Sequence, residues 1–552
     1  MANPRQLAER FHEAWLQAHP FAATTYGIPG YDDRVPDASE AGDEAWRGAV
    51  QALLADAGKV DTAGLPDADA VTLECLVEHA RQQLADLDSA PSEHTVTAMP
   101  LEGPPELLSV AARTVLPDRK AAADYLARLR ASGVLIDQQS ERLRIGAAKG
   151  RLPVAPLVQQ AITWAEGVLR PPVPEALTIP RPPDGWDGEG AWRDERDAIA
   201  AGVVKPALAR WLDLLKDLAD RARPAERPGL VYLPDGEAEY TRAIRSHTTL
   251  ALSPEQLHQT GLDEIAALEA RALALGRALG LDDLPAIHRA LRRSSTEAAA
   301  DQAMAAALRA IRRAEAHAGE VFPAPLPPAC DVTPMPAVVA VSGMAPHYTP
   351  PRLDGGRPGT FWFNTEVPTA GTGWDLECVA FHEAVPGHHL QLSRVQMLGE
   401  LPDLQRLHHL TVFGEGWGLY AEQLAEEMGL YHDNRSLLGA IAGALMRAAR
   451  LVVDTGLHAF GWSRDRALEL FVAHVPMPEA FLATETDRYI AWPGQALAYL
   501  TGKLEILSLR EEARARLGPS FSLPEFHSAV LDSGSLPMPV LRHNIERWTT
   551  RR

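Results

Sequence analysis

Apolar residues recur every three or four positions along most of this chain, which is the signature of amphipathic helices. Leu7, Phe11, Trp15 and Leu16 form the first stripe, and Tyr26-Gly27-Ile28-Pro29-Gly30 closes it. Val71, Leu73, Leu76 and Val77 predict a helix over 68–87, which the run Met99-Pro100-Leu101-Glu102-Gly103-Pro104-Pro105 separates from helices over 120–130, 134–149 and 155–169. Six prolines between 170 and 190 exclude regular helix there and leave a linker, a lid or a surface loop. A helix over 191–221 follows, then a short strand at Val231-Tyr232-Leu233 and a turn at Pro234-Asp235-Gly236. Ser253-Pro254-Glu255-Gln256 opens the next helix with a Ser cap, a Pro at the first position and a Gln three residues on. That helix runs to about 279, and another covers 295–319.

Near Val321 the pattern changes. Residues 321–373 are rich in Pro and Gly and hold two β-prone runs, Ala337-Val338-Val339-Ala340-Val341 and Thr360-Phe361-Trp362-Phe363-Asn364. The second run could be an edge strand that receives an extended peptide. From 374 to the end the pattern is helical again. The expected class is mainly α with a small β-sheet preceding a chemically rich helix. The organisation expected is an N-terminal helical region over 1–320 and a region with the sheet and the metal-binding helices over 321–552, together one continuous cleft-forming unit.

Composition narrows the function classes. A chain of 552 residues can bury more than one core. Its net charge of −20 disfavours nucleic acid and anionic membranes as partners. Only Cys75, Cys330 and Cys378 are present, too few for a disulfide framework or a Cys-rich zinc site. No uninterrupted apolar run approaches the ~20 residues that span a bilayer. The stretch Met1-Ala2-Asn3-Pro4-Arg5-Gln6 shows no signal-peptide pattern. These features give the expectation of a soluble, cytoplasmic protein.

The chemistry concentrates in Phe381-His382-Glu383-Ala384-Val385-Pro386-Gly387-His388-His389-Leu390-Gln391. In the common zinc-hydrolase helix two histidines stand at i and i+4, ~6 Å apart along the axis, so both reach one ion. Here Pro386 occupies i+4 from His382, and His388 and His389 stand at i+6 and i+7. On a regular helix the first points ~120° away and the second lies ~10.5 Å along the axis. Pro386, without an N–H, and Gly387, free in its backbone angles, can break the helix and return a histidine to His382. His388 is preferred, with His389 the alternative. Glu383 is placed as the general base. A third ligand should come from a later helix. Glu415 stands among Gly414, Gly416 and Gly418, and Glu422 at i+7 shares its face and could orient a ligating histidine.

These residues resemble a known family. His-Glu-Ala-Val-Pro-Gly-His-His-Leu-Gln and Glu-Gly-Trp-Gly-Leu-Tyr-Ala-Glu look like the bacterial domain of unknown function 885 family, as do Arg450–His458, Arg488–Gln495 and, more weakly, Tyr26-Gly27 and Leu233–Gly236. That family is grouped with gluzincin-type zinc metallopeptidases, which implies a multi-helix metallopeptidase-like fold with a deep cleft. The second run is similar to a zinc-aminopeptidase segment whose glutamate before glycine is the third zinc ligand, matching Glu415. Two extra residues before the second histidine depart from the gluzincin pattern.

The expectation is thus a zinc-dependent hydrolase cleaving a small peptide or related amide. One Zn2+ would be held by His382, His388 and Glu415, with His389, Glu422 and Asp454 as alternative or supporting groups. Glu383 would be the base. Tyr499, Tyr489, Arg488 or His458 would stabilise the oxyanion. A non-peptide amidase or lyase using the same site, and a binding protein with a vestigial site, are the competing readings.

Overall fold

The first apolar stripe forms the helix Pro4–Ala18, with Leu7, Phe11 and Leu16 buried and the Asn3 side chain accepting the Arg5 N–H at 2.9 Å. The computed structural model describes residues 3–183, 185–294, 300–335, 346–353, 357–364, 373–398 and 400–552. Residues 120–149, expected as two helices, form one helix, Arg119–Ala148. Gly133, between the expected pair, marks packing and not a break, since a Cβ there would fall 2.8 Å from Val203 Cγ1. Over 191–221 the helices Glu189–Ile199 and Lys205–Ala219 are joined by a π-helical turn, Ala200–Val204. Val231-Tyr232-Leu233 is no strand. Without a partner strand, its backbone bonds locally in the 3₁₀ turn Leu230–Tyr232, where the Leu233 N–H donates to the Leu230 carbonyl at 2.7 Å. The capping box at Ser253 and Gln256 forms in both directions, at 3.2 and 3.0 Å.

The chain divides into two compact units, one of residues 1–60, 79–239 and 461–464, the other of 61–78, 240–460 and 465–552. The first is helical and is built on Tyr125, Leu129 and Ile136 of the long helix packed with Trp192, Leu208, Trp211 and Leu215. The composition change near Val321 therefore lies inside the second unit. Residues from 240 onward, grouped by pattern with the N-terminal region, pack there. Helix α1 (Pro254–Arg277) lies along the later helix Asn434–His458, and a Cβ at Gly261 would meet Val452 Cγ2 at 2.7 Å.

The second unit carries the sheet and the candidate site. Strands β1 (Asp331–Pro334), β2 (His347–Thr349) and β3 (Thr360–Phe363) are ordered β1-β3-β2, with β1 parallel and β2 antiparallel to β3. The Thr360 run is thus a central strand paired on both sides, so it is not the free edge that could take a peptide. The strand expected at 337–341 lies outside the described residues. After the sheet come α2 (Leu376–Glu383), α3 (His388–Met397), α4 (Thr411–Glu427), α5 (Asn434–His458), α6 (Glu479–Ala491) and α7 (Ala498–Leu517). By length and composition α5 could cross a membrane, but 72% of its most apolar window is buried within the protein, as in a core helix. The architecture is mainly helical with one small sheet.

Candidate metal centre

The site begins where the helix breaks. Helix α2 closes with the Ala384 N–H on the Ala380 carbonyl at 2.9 Å, and α3 reopens with the Gln391 N–H on the Gly387 carbonyl at 3.0 Å. Pro386 offers no N–H to continue the ladder. Its carbonyl instead accepts the Trp417 indole N–H at 3.0 Å, anchoring the break to α4. A Cβ at Gly387 would lie 1.8 Å from the His382 carbonyl oxygen, so only glycine fits the path the chain takes. The break brings the rings of His382 and His388 to a centroid distance of 4.7 Å, nearly perpendicular.

Helix α4 supplies the third group. Glu415 Oε2 lies 3.3 Å from His382 Nε2 and 3.8 Å from His388 Nε2. One ligand atom from each of the three residues falls within 4.8 Å of the others. A tetrahedral ion with ligands at 2.0–2.1 Å has ligand–ligand edges of about 3.3 Å, which the Glu415–His382 edge matches and the Glu415–His388 edge exceeds by about 0.5 Å. The glycines around Glu415 explain how α4 comes so near. Gly418 faces the His382 ring, where a Cβ would fall 2.5 Å from Cε1. Gly416 meets Gly502 of α7, and a Cβ on Gly416 would lie 2.6 Å from the Gly502 Cα.

Supporting groups fix the histidines. His382 Nδ1 is 2.8 Å from Glu422 Oε1, which leaves Nε2 as the nitrogen turned toward Glu415 and His388. Arg447 Nη2 approaches the same Glu422 oxygen at 3.8 Å. Burial alone would lower the His382 pKa, but its bonds to Glu415 and Glu422 outweigh it and push the value up to about 10. Burial likewise works to raise Glu422, while Arg447 and His382 hold it below the ordinary carboxylate value. Glu383 Oε2 accepts the backbone N–H of Tyr348 in β2 at 2.8 Å, so the sheet aims this carboxylate.

The two adjacent histidines serve different elements. His389 Nε2 donates to the Pro328 carbonyl at 2.7 Å, and its Nδ1 lies 3.0 Å from the Tyr348 hydroxyl. It ties α3 to the sheet and is turned away from the three converging groups. His388 joins them.

The residues expected to stabilise an oxyanion are engaged with one another and with their neighbours. The Tyr489 ring is buried, its hydroxyl donating to Glu485 at 2.6 Å and accepting from Arg450 Nε at 2.8 Å. Arg488 forks onto Glu485 at 2.9 and 3.1 Å and reaches Gln495 at 2.7 Å. His458 donates from Nε2 to the Tyr489 carbonyl at 3.0 Å. Asp454 accepts the Gly494 N–H at 3.1 Å and the Tyr240 hydroxyl at 2.7 Å, shaping the turn before α7; burial pushes its pKa up to about 7. Tyr499 is partly buried in the first turn of α7 and its hydroxyl is hydrogen-bonded to Gln495; burial first, and then the negative charge of Glu415, raise its pKa.

Sequence reasoning missed Tyr348, Arg447 and Glu485, and gave Arg450 no role beyond its place in the Arg450–His458 resemblance. The first gave no local signal, since its role is a backbone N–H presented by a strand. Arg447 and Arg450 could have been noticed as isolated charges in an otherwise apolar helix.

The family described as bacterial protein of unknown function (DUF885) matches residues 20–545. The chain belongs to this family. Its fold matches along its whole length the crystal structure of a "putative lipoprotein" from Colwellia psychrerythraea, 28% identical, with 100% of both chains covered and a TM-score of 0.89. A "putative lipoprotein of unknown function" from Shewanella oneidensis is 18% identical over 98% of this chain and 99% of its own, with a TM-score of 0.76, and speaks for the fold alone. No curated protein matches. The lipoprotein descriptions overturn the cytoplasmic expectation. That expectation rested on the pattern of Met1–Gln6, on the lack of a long apolar run and on scarce cysteine; Cys75, Cys330 and Cys378 are buried and form no disulfide, which tolerates either redox environment.

Proposed function

We propose that this DUF885 protein is a zinc-dependent hydrolase of the metallopeptidase type, acting on peptides or related amides, with the gluzincin resemblance and its cleft-bearing fold as part of that reading. The observation that carries it is the convergence of His382, His388 and Glu415 across a helix break that two residues, Pro386 and Gly387, create. Two imidazoles and one carboxylate are a donor set suited to zinc, and three protein ligands leave a position open for chemistry. The donors fit such an ion: Glu422 fixes the His382 tautomer, as the outer partners of ligating histidines do.

An ion held there supplies Lewis acidity that activates water and polarises a carbonyl. Glu383 takes the proton of the attacking water as the oxygen–carbon bond forms. The same carboxyl returns that proton to the nitrogen as the carbon–nitrogen bond breaks, so water and an amide become a carboxylic acid and an amine. Tyr348 holds one Glu383 oxygen through its N–H and leaves the other to carry the proton. Tyr499, whose hydroxyl is bonded to Gln495 and whose pKa is raised in part by the charge of Glu415, is the candidate donor to the developing oxyanion.

The test pairs metal analysis with Glu383→Gln. Wild-type protein is expected to carry one zinc per chain and to cleave members of a peptide panel. Glu383→Gln is expected to keep the metal and lose at least about 10³-fold in rate, since it removes both proton transfers. Protein that binds no zinc in a chelator-competition titration sinks the proposal. Metal binding with no cleavage of any peptide shifts the reading to an amidase or lyase.

A further inference from the structure

Behind Tyr499 two guanidiniums converge on a single carboxylate. Arg450 and Arg488 share one carboxylate, Glu485, which lies 3.1 Å from Arg450 Nη2 and 2.9 Å from Arg488 Nη2. The Arg450 side chain is nine-tenths buried, with Nε on the Tyr489 hydroxyl and Nη2 on Glu485. Its third nitrogen, Nη1, is buried and has no hydrogen-bond partner. Asp454, one turn along α5, is held by Gly494 and Tyr240. Glu415 is committed to the metal ligand set proposed above. A buried guanidinium nitrogen left unpaired is costly. An anion brought to that nitrogen would supply the missing acceptor, and Arg450 differs from the chain's other arginines with an unpartnered nitrogen in that its guanidinium also stacks on Tyr499 of α7.

The cluster is placed next to the reacting centre. Glu415 neighbours Gly416, whose backbone touches Gly502. Tyr499 is three residues before Gly502, on the same face of α7 and ~4.5 Å along its axis. The Arg450 guanidinium stacks on the Tyr499 ring at 4.4 Å from its centroid. The path from Glu415 to Arg450 thus passes by way of Tyr499, which is partly buried.

We propose that Arg450 and Arg488 form a subsite for the terminal carboxylate of the substrate, so that the enzyme removes residues from the carboxyl end of short peptides. The inference rests on the hydrolase reading for its chemistry, but the anion site itself does not. Tyr499 covers the guanidinium in the absence of ligand. A turn of its side chain exposes Arg450 Nη1, and the carboxylate then bridges this nitrogen and the edge of Arg488.

The experiment uses the full zinc-loaded chain and a set of N-acetylated dipeptides ending in Gly, Ala, Phe or Lys, each as the free acid and as the C-terminal amide. Binding is read by calorimetry on Glu383→Gln, and cleavage on the wild type. Free acids are expected to bind at least about 30-fold more tightly than their amides, the scale of a lost charge-assisted hydrogen bond. Acids that bind no better than amides overturn the subsite, whether or not either is cut. Acids that bind preferentially but are never cleaved support the subsite and defeat the peptidase reading. Because Arg450→Gln could disturb packing, Arg450→Lys is the companion variant. It keeps the charge and is expected to retain zinc while losing at least tenfold of the acid preference. Unchanged preference in that variant refutes the role of Arg450.

Discussion

Gly418 tests the geometry of the centre with a single methyl group. It lies in the interior of α4, where alanine should be favoured over glycine by about 1 kcal/mol. A Cβ there would sit 2.5 Å from His382 Cε1, 2.7 Å from Nε2 and 2.9 Å from Nδ1. Ordinary carbon contacts are ~3.5–4.0 Å, so the ring must retreat by about 1 Å. It has little freedom to do so. His382 is only 5% exposed, its Nδ1 is bonded to Glu422, and its face is met edge-on by His388. Overpacking of this kind costs about 1–3 kcal/mol, which offsets the helical gain and leaves Gly418→Ala between neutral and about 2 kcal/mol less stable. The larger effect falls on the metal. A 1 Å shift is about half of a 2.0–2.1 Å zinc–nitrogen bond, and zinc affinity should drop at least about 100-fold. Gly414→Ala, one turn earlier on the same helix, places its Cβ where nothing described lies within 4 Å. It should gain up to about 1 kcal/mol and bind zinc as the wild type does. The assay is zinc titration against a competing chelator, with urea unfolding of the metal-free proteins. Wild-type zinc affinity in Gly418→Ala, or an equal loss in Gly414→Ala, would refute the packing argument.

Three further outcomes follow from the same geometry. His388→Ala should abolish stoichiometric zinc, whereas His389→Ala should keep zinc and lose about 1–3 kcal/mol of stability, because it leaves the Pro328 carbonyl without its donor and the Tyr348 hydroxyl with Ser393 alone; the reverse pattern in metal analysis rejects the assignment of His388. Glu422→Gln should weaken zinc binding by about 10–100-fold while leaving one ion per chain at saturation, and an unaltered dissociation constant argues that Glu422 does not orient His382. Glu485 is held at about 2: burial opposes ionisation, but Arg488 and Arg450 outweigh it. Because its pKa is lower in the folded chain than the ordinary 4.5, its contribution is complete above pH 4.5 and is lost as pH falls toward 2. The difference is worth about 3 kcal/mol, so Glu485→Gln should flatten the acid limb of a stability–pH curve measured by urea unfolding, and an unchanged limb would count against the buried triad.

What could be read locally and what could not separates along physical lines. The capping box at Ser253 and Gln256 was legible because all its partners lie within four residues. The helix break was legible because Pro386 and Gly387 act on their own backbone. The glycines of α4 announced a close approach, although not that one of them would meet the His382 ring and another the backbone of α7. Gly133 misled for the same reason: a glycine made for a neighbour looks locally like a glycine made for a turn. The short run at Val231 had strand composition but no partner, and pairing is not encoded in the run itself. Tyr348 reaches Glu383 from 35 residues away through its main chain, which no side-chain pattern can reveal. The oxyanion candidates were chosen for chemistry near a turn. Packing then committed Tyr489, Arg488 and His458 to one another and to Glu485, and Tyr499 to Gln495.

The two residues that lengthen the histidine motif bear on more than spacing. A continuous helix carrying the usual i, i+4 pair spends both histidines on one face and leaves the next position to follow the helix wherever it leads. Here the helix stops after Glu383 and restarts at His388. The restart gives adjacent positions, about 100° apart around the new axis, separate tasks. His388 turns to Glu415 at 3.8 Å, and His389 turns to the sheet, on Pro328 and Tyr348. Tyr348 in turn holds Glu383, the last residue before the break. The insertion therefore closes a loop of contacts, from Glu383 through β2 to His389 and back along the chain to His388. The base and the second ligand are positioned against each other through the sheet and not through helical periodicity. On this reasoning the His389–Tyr348 contact matters to the alignment of Glu383 even though neither residue reaches the ion.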